Sequence, residues 1–190
     1  MKRRKLPTQE RLLALLAYDP ETGRLFWRDR PVSMFREGEH GAEHTCRWWN
    51  NRFAGREAFT VRHPSGYLMG KIDGEMWLAH RVIWKLVYGT EPNEIDHEDG
   101  TKSDNKLSNL RDVDRSGNRR NQPLPITNTS GAMGVTWAPK QGKWHARITV
   151  AGCRIHLGSF SCFDAAVAAR KAAERELGFH ANHGRSRRAA

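Results

Sequence analysis

Residues 94–121 read EIDHEDGTKSDNKLSNLRDVDRSGNRRN, and the reading of the whole chain turns on them. A carboxylate and an imidazole stand side by side at Asp96-His97, behind the apolar Ile95. Asn109 follows twelve residues after His97, and a basic, Asn-rich segment then carries Arg115 and Asn118. Arg115 and Asn118 are three apart, so on a helix they share a face. The Asp96 carboxylate and the Asn118 amide oxygen are hard donors suited to Mg²⁺ or another divalent cation such as Mn²⁺. An imidazole with an ordinary pKa of ~6.5 can take a proton from water near neutral pH, which suits His97 to the role of base. Neighbouring side chains on a flat strand point to opposite faces, so a local bend is required for His97 and Asp96 to act together. Arg115 can clamp a phosphate beside the ion. Read singly, each group has a bland alternative: Asp96 ends a strand, Asn109 caps a turn, and Asp99-Gly100 and Ser103-Asp104-Asn105 are loop chemistry. Asp104 and Asn105 are expected to reinforce the loop rather than to bind an ion.

Composition narrows the partner. The chain has 190 residues, with 32 Lys+Arg against 21 Asp+Glu, a net charge of +11 and a pI near 10.1. Such a balance favours a polyanion, because each cation set on a phosphate releases condensed counterions. Three cysteines, Cys46, Cys153 and Cys162, form no Cys-x-x-Cys pair, which argues against a disulfide framework and a Cys-rich zinc site. A reducing, intracellular, cytoplasmic location is the expectation. The apolar run LLALLAY after the basic start is too short to span a bilayer and is not followed by a cleavage pattern, so no membrane partner is expected. Residues 1–5 and the end GRSRRAA read as basic tails.

The first half reads as small pieces. Residues 8–17 suggest an amphipathic helix capped by Thr8, with Leu12, Leu13, Leu15 and Leu16 on its apolar side. Thr22-Gly23 turns into a strand at Arg24–Trp27, and no period is visible from Arg30 to Cys46, which predicts an irregular loop. Ser65-Gly66 and Asp73-Gly74 are hairpin signals. Tyr67, Met69 and Lys71 are expected to face one way, and Leu68, Gly70 and Ile72 the other. Ala79–Tyr88 reads as a helix with Val82, Ile83, Leu86 and Val87 on one side, stopped by Gly89. His80 is expected to pack or hydrogen-bond rather than to catalyse; Trp48 and Trp49 either stack on bases or pack the small domain, with packing the favoured reading.

Residues 122–130 hold prolines and polar residues and read as a linker. Beyond it, strands at Gly134–Ala138, Lys143–Val150 and Arg154–Phe160 and an Ala-rich helix at Phe163–Leu177 make a meander whose one helix covers one face. Alternation sends Val135, Trp137, Trp144, Ala146, Ile148, Val150, Ile155 and Leu157 towards the helix. The open face then collects Thr136, Lys143, His145, Arg147, Thr149, Arg154, His156 and Gly158, with no Asp or Glu. A solvated antiparallel face normally mixes signs, so this one is read as a nucleic-acid surface; sheet faces enter the major groove of duplex DNA.

Two resemblances add to this. Residues 131–178 resemble the Apetala/ethylene-response-factor type of DNA-binding domain, through Gly134-Val135, Gly142-Lys143-Trp144, Arg154-Ile155-His156-Leu157-Gly158-Ser159-Phe160 and Asp164-Ala165-Ala166. The resemblance implies docking through the open sheet, with Thr136, Arg147, Thr149, Arg154 and His156 at contact positions. Thr136 and Thr149 stand where that family has arginines, Arg147 where it has an acid and His156 where it has tryptophan, so the docking mode carries over and the base preference does not. Residues 94–121, with Ala79-His80-Arg81, resemble the HNH nuclease family in its H-N-N form, Asn118 standing in the third position. The likeness is to phage and intron homing enzymes, whose N-terminal part is also similar to Trp48–Gly55 and Gly66-Tyr67.

The resemblance implies an α+β chain with a ββα-metal nuclease module. The expected division is residues 1–47 as helix, strand and irregular loop, 48–121 as the HNH nuclease domain, 122–130 as linker, 131–180 as the Apetala-type domain and 181–190 as a basic tail. His97, Asp96, Asn109, Arg115 and Asn118 are the implied catalytic set, with Asp96 and Asn118 on the metal. Asn109 would orient His97 or tie two strands together. The implied activity is metal-dependent hydrolysis of phosphodiester bonds in double-stranded DNA, in a bacterial or phage-infected cell. The alternative is a non-catalytic DNA-binding regulator with an inactive HNH module. No protein partner is implied, and monomer and dimer both stand open. Replacing Arg147 and Arg154 together by Ala should weaken DNA binding and flatten its salt dependence by roughly one slope unit per lost phosphate contact, read from affinity measured across a salt series.

Overall fold

Leu12, Leu15 and Leu16 are fully buried and fix the first element of the fold. Helix α1 (Gln9–Leu15) starts at Thr8, whose hydroxyl accepts from Arg11 N at 3.2 Å. The predicted helix thus forms but stops at Leu15, and its Leu13 is 43% exposed. Strand β1 (Leu16–Asp19) continues directly and pairs antiparallel with β2 (Arg24–Trp27). The computed structural model describes residues 4–186, apart from the side chains of Arg115 and Ser116. The tail readings at residues 1–3 and 187–190 lie outside the described residues. Arg4, also read as tail, pairs with Glu75, and Leu6 is buried.

The chain parts into two compact units, Met1–His97 with Thr101–Asp112, and Glu98–Gly100 with Val113–Ala190. The last crossing from one unit to the other falls at Asp112/Val113, upstream of the 122–130 segment read as a linker. The fold is mixed α+β with several small antiparallel sheets.

In the first unit, the irregular loop expected from Arg30 to Cys46 is not what forms. A 3-10 turn covers Val32–Met34, and helix α2 (Ala42–Phe53) runs through the expected boundary at 47/48. Ala42, Cys46, Trp49 and Phe53 recur at helical spacing, but Gly41 offers no side-chain cap, so the usual start signal is missing. Asn50 holds α2 to the preceding chain: its Oδ1 accepts from Arg30 N and its Nδ2 donates to Arg30 O, both at 3.0 Å. The Arg30 guanidinium lies 3.7 Å from the centre of the Trp49 ring, which also meets Trp27 edge-on at 5.9 Å. Trp49 is packed as expected, whereas Trp48 is 52% exposed.

Strand β3 (Glu57–Ala58) joins β2, and β4 (Val61–Arg62), β5 (Leu68–Ile72) and β6 (Glu75–Leu78) form a second antiparallel sheet. Gly70 and Ile72 are buried and Lys71 is exposed, as alternation required. Helix α3 (Ala79–Tyr88) buries Val82, Ile83 and Leu86, while Val87, expected on the same side, is 36% exposed near the helix end. Gly89 ends α3 in a left-handed conformation that only glycine adopts cheaply. Gln9 of α1 donates to the Leu86 carbonyl at 3.0 Å, satisfying one of the carbonyls a helix end leaves open. A two-stranded sheet of β7 (Glu94–His97) and β8 (Leu110–Val113) completes this region, with Ile95 and Leu110 in the common core.

The second unit contains the short helix α4 (Arg115–Arg119), then β9 (Val135–Ala138), β10 (Lys143–Val150), β11 (Cys153–Phe160) and α5 (Phe163–Glu176). The sheet order is β11-β10-β9 and both pairings are antiparallel. Val135, Ala146 and Ala166 form its core, with Ile148 also buried. A bulge between Ala146 and Arg147 opposes Ala146 to Gly158 and Arg147 to His156. Gly158 therefore sits opposite the buried Ala146, on the helix side and not on the open face. Ile155, opposite Ile148, is 43% exposed, and Trp137 on the edge strand is 48% exposed; neither is buried as alternation alone suggested.

The linker and tail readings both change. Gly184 N donates to Gln122 O at 2.8 Å and Leu124 N to Arg185 O at 3.0 Å, so residues 122–124 are held by the C-terminal segment. His183 is 6% exposed beside Arg170 and Glu174, a buried pair at 2.8 Å. Among the described residues no helix is long and apolar enough to cross a membrane. Leu15→Ala should cost about 2–5 kcal/mol of stability, read from the urea midpoint.

Candidate active site

Three consecutive residues of β7 are buried: Ile95, Asp96 and His97 at 5, 9 and 2% exposure. An apolar neighbour on either face cannot hold a carboxylate or an imidazole, so both need polar partners. Asp96 Oδ2 accepts from Arg111 Nη2 on β8 at 2.7 Å, a charge-assisted bond. His97 Nε2 lies 3.1 Å from Asn105 Oδ1, and Asn105 is itself 2% exposed. A proton on Nε2 donated to that carbonyl oxygen would leave Nδ1 as the basic atom.

The loop carrying Asn105 is held from several sides. Asn109, at the end of the 3-10 turn Leu107–Asn109, donates its amide to Asp104 O at 2.9 Å. The Tyr18 hydroxyl donates to Asn105 O at 3.0 Å and accepts from Leu107 N at 3.2 Å. The β1–β2 turn lies against the same backbone. A Cβ on Gly23, at φ +72°, would stand 2.6 Å from Lys106 N, so the approach requires glycine.

Aromatic rings close around His97. His80 meets it edge-on at 5.2 Å, and Tyr67 lies 5.7 Å from His97 and 4.7 Å from His80. Lys102 Nζ sits 4.7 Å from the Tyr67 ring and donates to Ser65 O. Burial, with smaller contributions from His97 and Arg81, depresses the His80 pKa to about 3, so this ring is neutral at physiological pH. Burial, reinforced by Asp96 and Glu94, raises that of Tyr67. His80 is packed, in line with the sequence expectation.

Asn118 lies on α4 in the second unit, where Asp114 Oδ1 accepts from Gly117 N at 2.6 Å. The Arg115 side chain, assigned to the phosphate, lies outside the described residues. Asp96, His97 and Asn109 belong to the first unit. Among the described residues there is no group of three or more His, Cys, Asp or Glu that could hold a metal.

The open sheet face is present. Thr136 opposes His145, Arg147 opposes His156 and Thr149 opposes Arg154, which puts all six on one side; Lys143, two before His145, joins them. Arg147 Nη2 lies 3.3 Å from His145 Nδ1, and Gln141 Oε1 lies 2.7 Å from His145 Nε2. The His145 and His156 rings meet edge-on at 5.5 Å.

Asn105, Arg111, Tyr67 and His80 surround the candidate groups; the sequence points to a loop role for Asn105 and a packing role for His80, and to no contact of any of the four with Asp96 or His97. Arg111 and Tyr67 stand inside quoted motifs, yet nothing in residue type reports a cross-strand ion pair or a ring contact.

Residues 78–120 match the HNH endonuclease family. The matched stretch includes Asp96, His97, Asn109, Arg115 and Asn118. Over 75 residues, 38% of the chain, the sequence is 33% identical to "Protein 3.8" of Escherichia phage T7. The chain spans 62% of that relative's length. No solved structure matches the chain.

Neutral burial of His80 has a pH consequence. Unfolded, this histidine titrates at its ordinary 6.5, and folded at about 3. The stability of the neutral ring is therefore complete above 6.5 and is lost as pH falls towards 3, because only the unfolded chain takes up the proton. His183, depressed mainly by burial, acts in the same direction. Urea stability should fall below pH 6.5 by up to about 1.4 kcal/mol per pH unit for each such histidine, and His80→Phe should reduce that slope.

Proposed function

We propose that this chain is a metal-dependent DNA endonuclease that hydrolyses phosphodiester bonds of duplex DNA. The observation that carries the reading is that the HNH-matched residues contain the whole motif, with its imidazole and carboxylate fixed on consecutive buried positions of β7. His97 is the base: Asn105 fixes the ring through Nε2, and Nδ1 accepts the proton of the attacking water. Motif order assigns Asp96 and Asn118 as ion ligands and Arg115 as the phosphate clamp. The oxygen donors of Asp96 and Asn118 would hold Mg²⁺ or Mn²⁺. When bound, such an ion acts as a Lewis acid on the scissile phosphate and steadies the leaving 3′ oxygen. Asn109, bonded to Asp104 O, holds the loop that seats Asn105. The sheet of β9, β10 and β11 serves as an Apetala-type docking surface for duplex DNA through Thr136, Lys143, His145, Arg147, Thr149, Arg154 and His156. The net charge of +11 and the absence of carboxylates from these positions support that role.

Two observations favour the rival reading, a DNA-binding regulator with an inactive HNH module. The Asp96 carboxylate is already matched by Arg111, and His97 is only 2% exposed, so water reaches the base only if the site opens. Nicking of supercoiled plasmid with Mg²⁺, abolished by a chelator, decides between the two. His97→Ala should lower that cleavage by roughly 100-fold or more while leaving DNA affinity unchanged. A fully active His97→Ala protein removes the base assignment.

A further inference from the structure

The second unit contains a cleft of about 740 Å³ with no Asp or Glu among its lining residues. Arg119, which ends α4, and Arg120 beside it line the cleft from one segment. Thr136, Arg147, Thr149 and Arg154 line it from the sheet. The ion pairs of this unit join Arg170, Lys171 and His183 to Glu174, and His180 to Glu98. Among the described residues, none of the four arginines named above takes part in an ion pair. Four like charges around one cavity repel each other, and a single small anion cannot match them all. A chain of phosphates can.

The cleft is built rather than collected from loose side chains. Arg120 O accepts from His180 N at 3.1 Å, and Arg120 lies 5.7 Å from the Phe179 ring. Arg185 Nη1 donates to Asn121 O at 2.7 Å and to its Oδ1 at 2.8 Å. On the sheet side, Arg147 O accepts from the buried Arg170, and Arg147 N donates to Gly134 O at 2.9 Å. A Cβ on Gly134, at φ +69°, would stand 2.3 Å from Arg147 O, so glycine is required for this approach. The segments bearing Arg119 and Arg120 and the strand bearing Arg147 are thus each fixed before any ligand arrives, which lowers the ordering cost of binding.

We infer that this cleft grips the sugar–phosphate backbone of one strand of duplex DNA, with Arg119 and Arg120 as phosphate contacts beside the sheet arginines. The inference rests on the reading of the chain as DNA-binding and adds two contacts outside the sheet. It also ties α4 to the docking surface: Asn118, next to Arg119, is carried to the strand that the sheet holds.

The test measures affinity of the full-length protein for duplex DNA across a salt series, with chelator present so that cleavage does not interfere. Loss of two phosphate contacts in Arg119→Ala/Arg120→Ala should reduce the salt slope by about 1.8, so the affinity lost between 50 and 200 mM salt becomes about 12-fold smaller than in the wild type. Arg119→Lys/Arg120→Lys should restore the slope, because a phosphate contact needs charge rather than a planar fork. Melting curves check the fold; if the double variant is unfolded, the exposed Arg119→Ala alone should show half the change. An unchanged slope in a folded variant overturns the cleft while leaving the nuclease reading intact. A reduced slope with no Mg²⁺-dependent cleavage by the wild type supports the cleft and overturns the nuclease reading. Failure of the wild type to bind duplex DNA, or tighter binding of duplex RNA, overturns the cleft assignment.

Discussion

A carboxylate and an imidazole on adjacent buried residues impose the central constraint. Neither can be left without a polar partner in a site so shielded from water. Arg111 meets the first from the neighbouring strand, and Asn105 meets the second from the intervening loop. Several contacts of the first unit support these two bonds. Tyr18 and the tight turn at Gly23 hold the Asn105 loop, and the buried leucines of α1 pack in one core with the α3 residues that bring His80 against His97.

Local rules made much of this legible. The hairpins at Ser65-Gly66 and Asp73-Gly74, the helix before Gly89, and the C-terminal meander with its helix all carry period, turn and stop signals in a few residues. The motif Asp96…Asn118 could be found because its members are close in sequence. What escaped depends on distant groups. Helix α2 lacks a capping side chain and is secured by Asn50 reaching back to Arg30, a contact that no local window contains. The bulge in β11 moves Gly158 to the helix side, since one extra residue reverses every alternation beyond it. The partner of Asp96 was hidden for the same reason: nothing about Arg111 in the sequence says which carboxylate it meets.

Polar tails are the other lesson. Residues 179–186 look solvated by composition, yet His183 is buried against the Arg170–Glu174 pair and Arg185 clamps Asn121. A segment rich in His, Asn and Arg can act as structure when its donors find backbone carbonyls, and composition does not count those carbonyls.

The tripeptide Glu98–Gly100 follows His97 directly but belongs to the second unit, where Glu98 O accepts from Asn121 and Asn182 and Arg185 lies over Gly100. The polypeptide therefore passes between the units three times within sixteen residues, at 97/98, 100/101 and 112/113. No single crossover in a gene can exchange one unit and leave the other whole. A recombinant that inherited a foreign C-terminal half from Val113 onward would keep three residues shaped for the half it lost, so the two are expected to be inherited together rather than shuffled as separate cassettes.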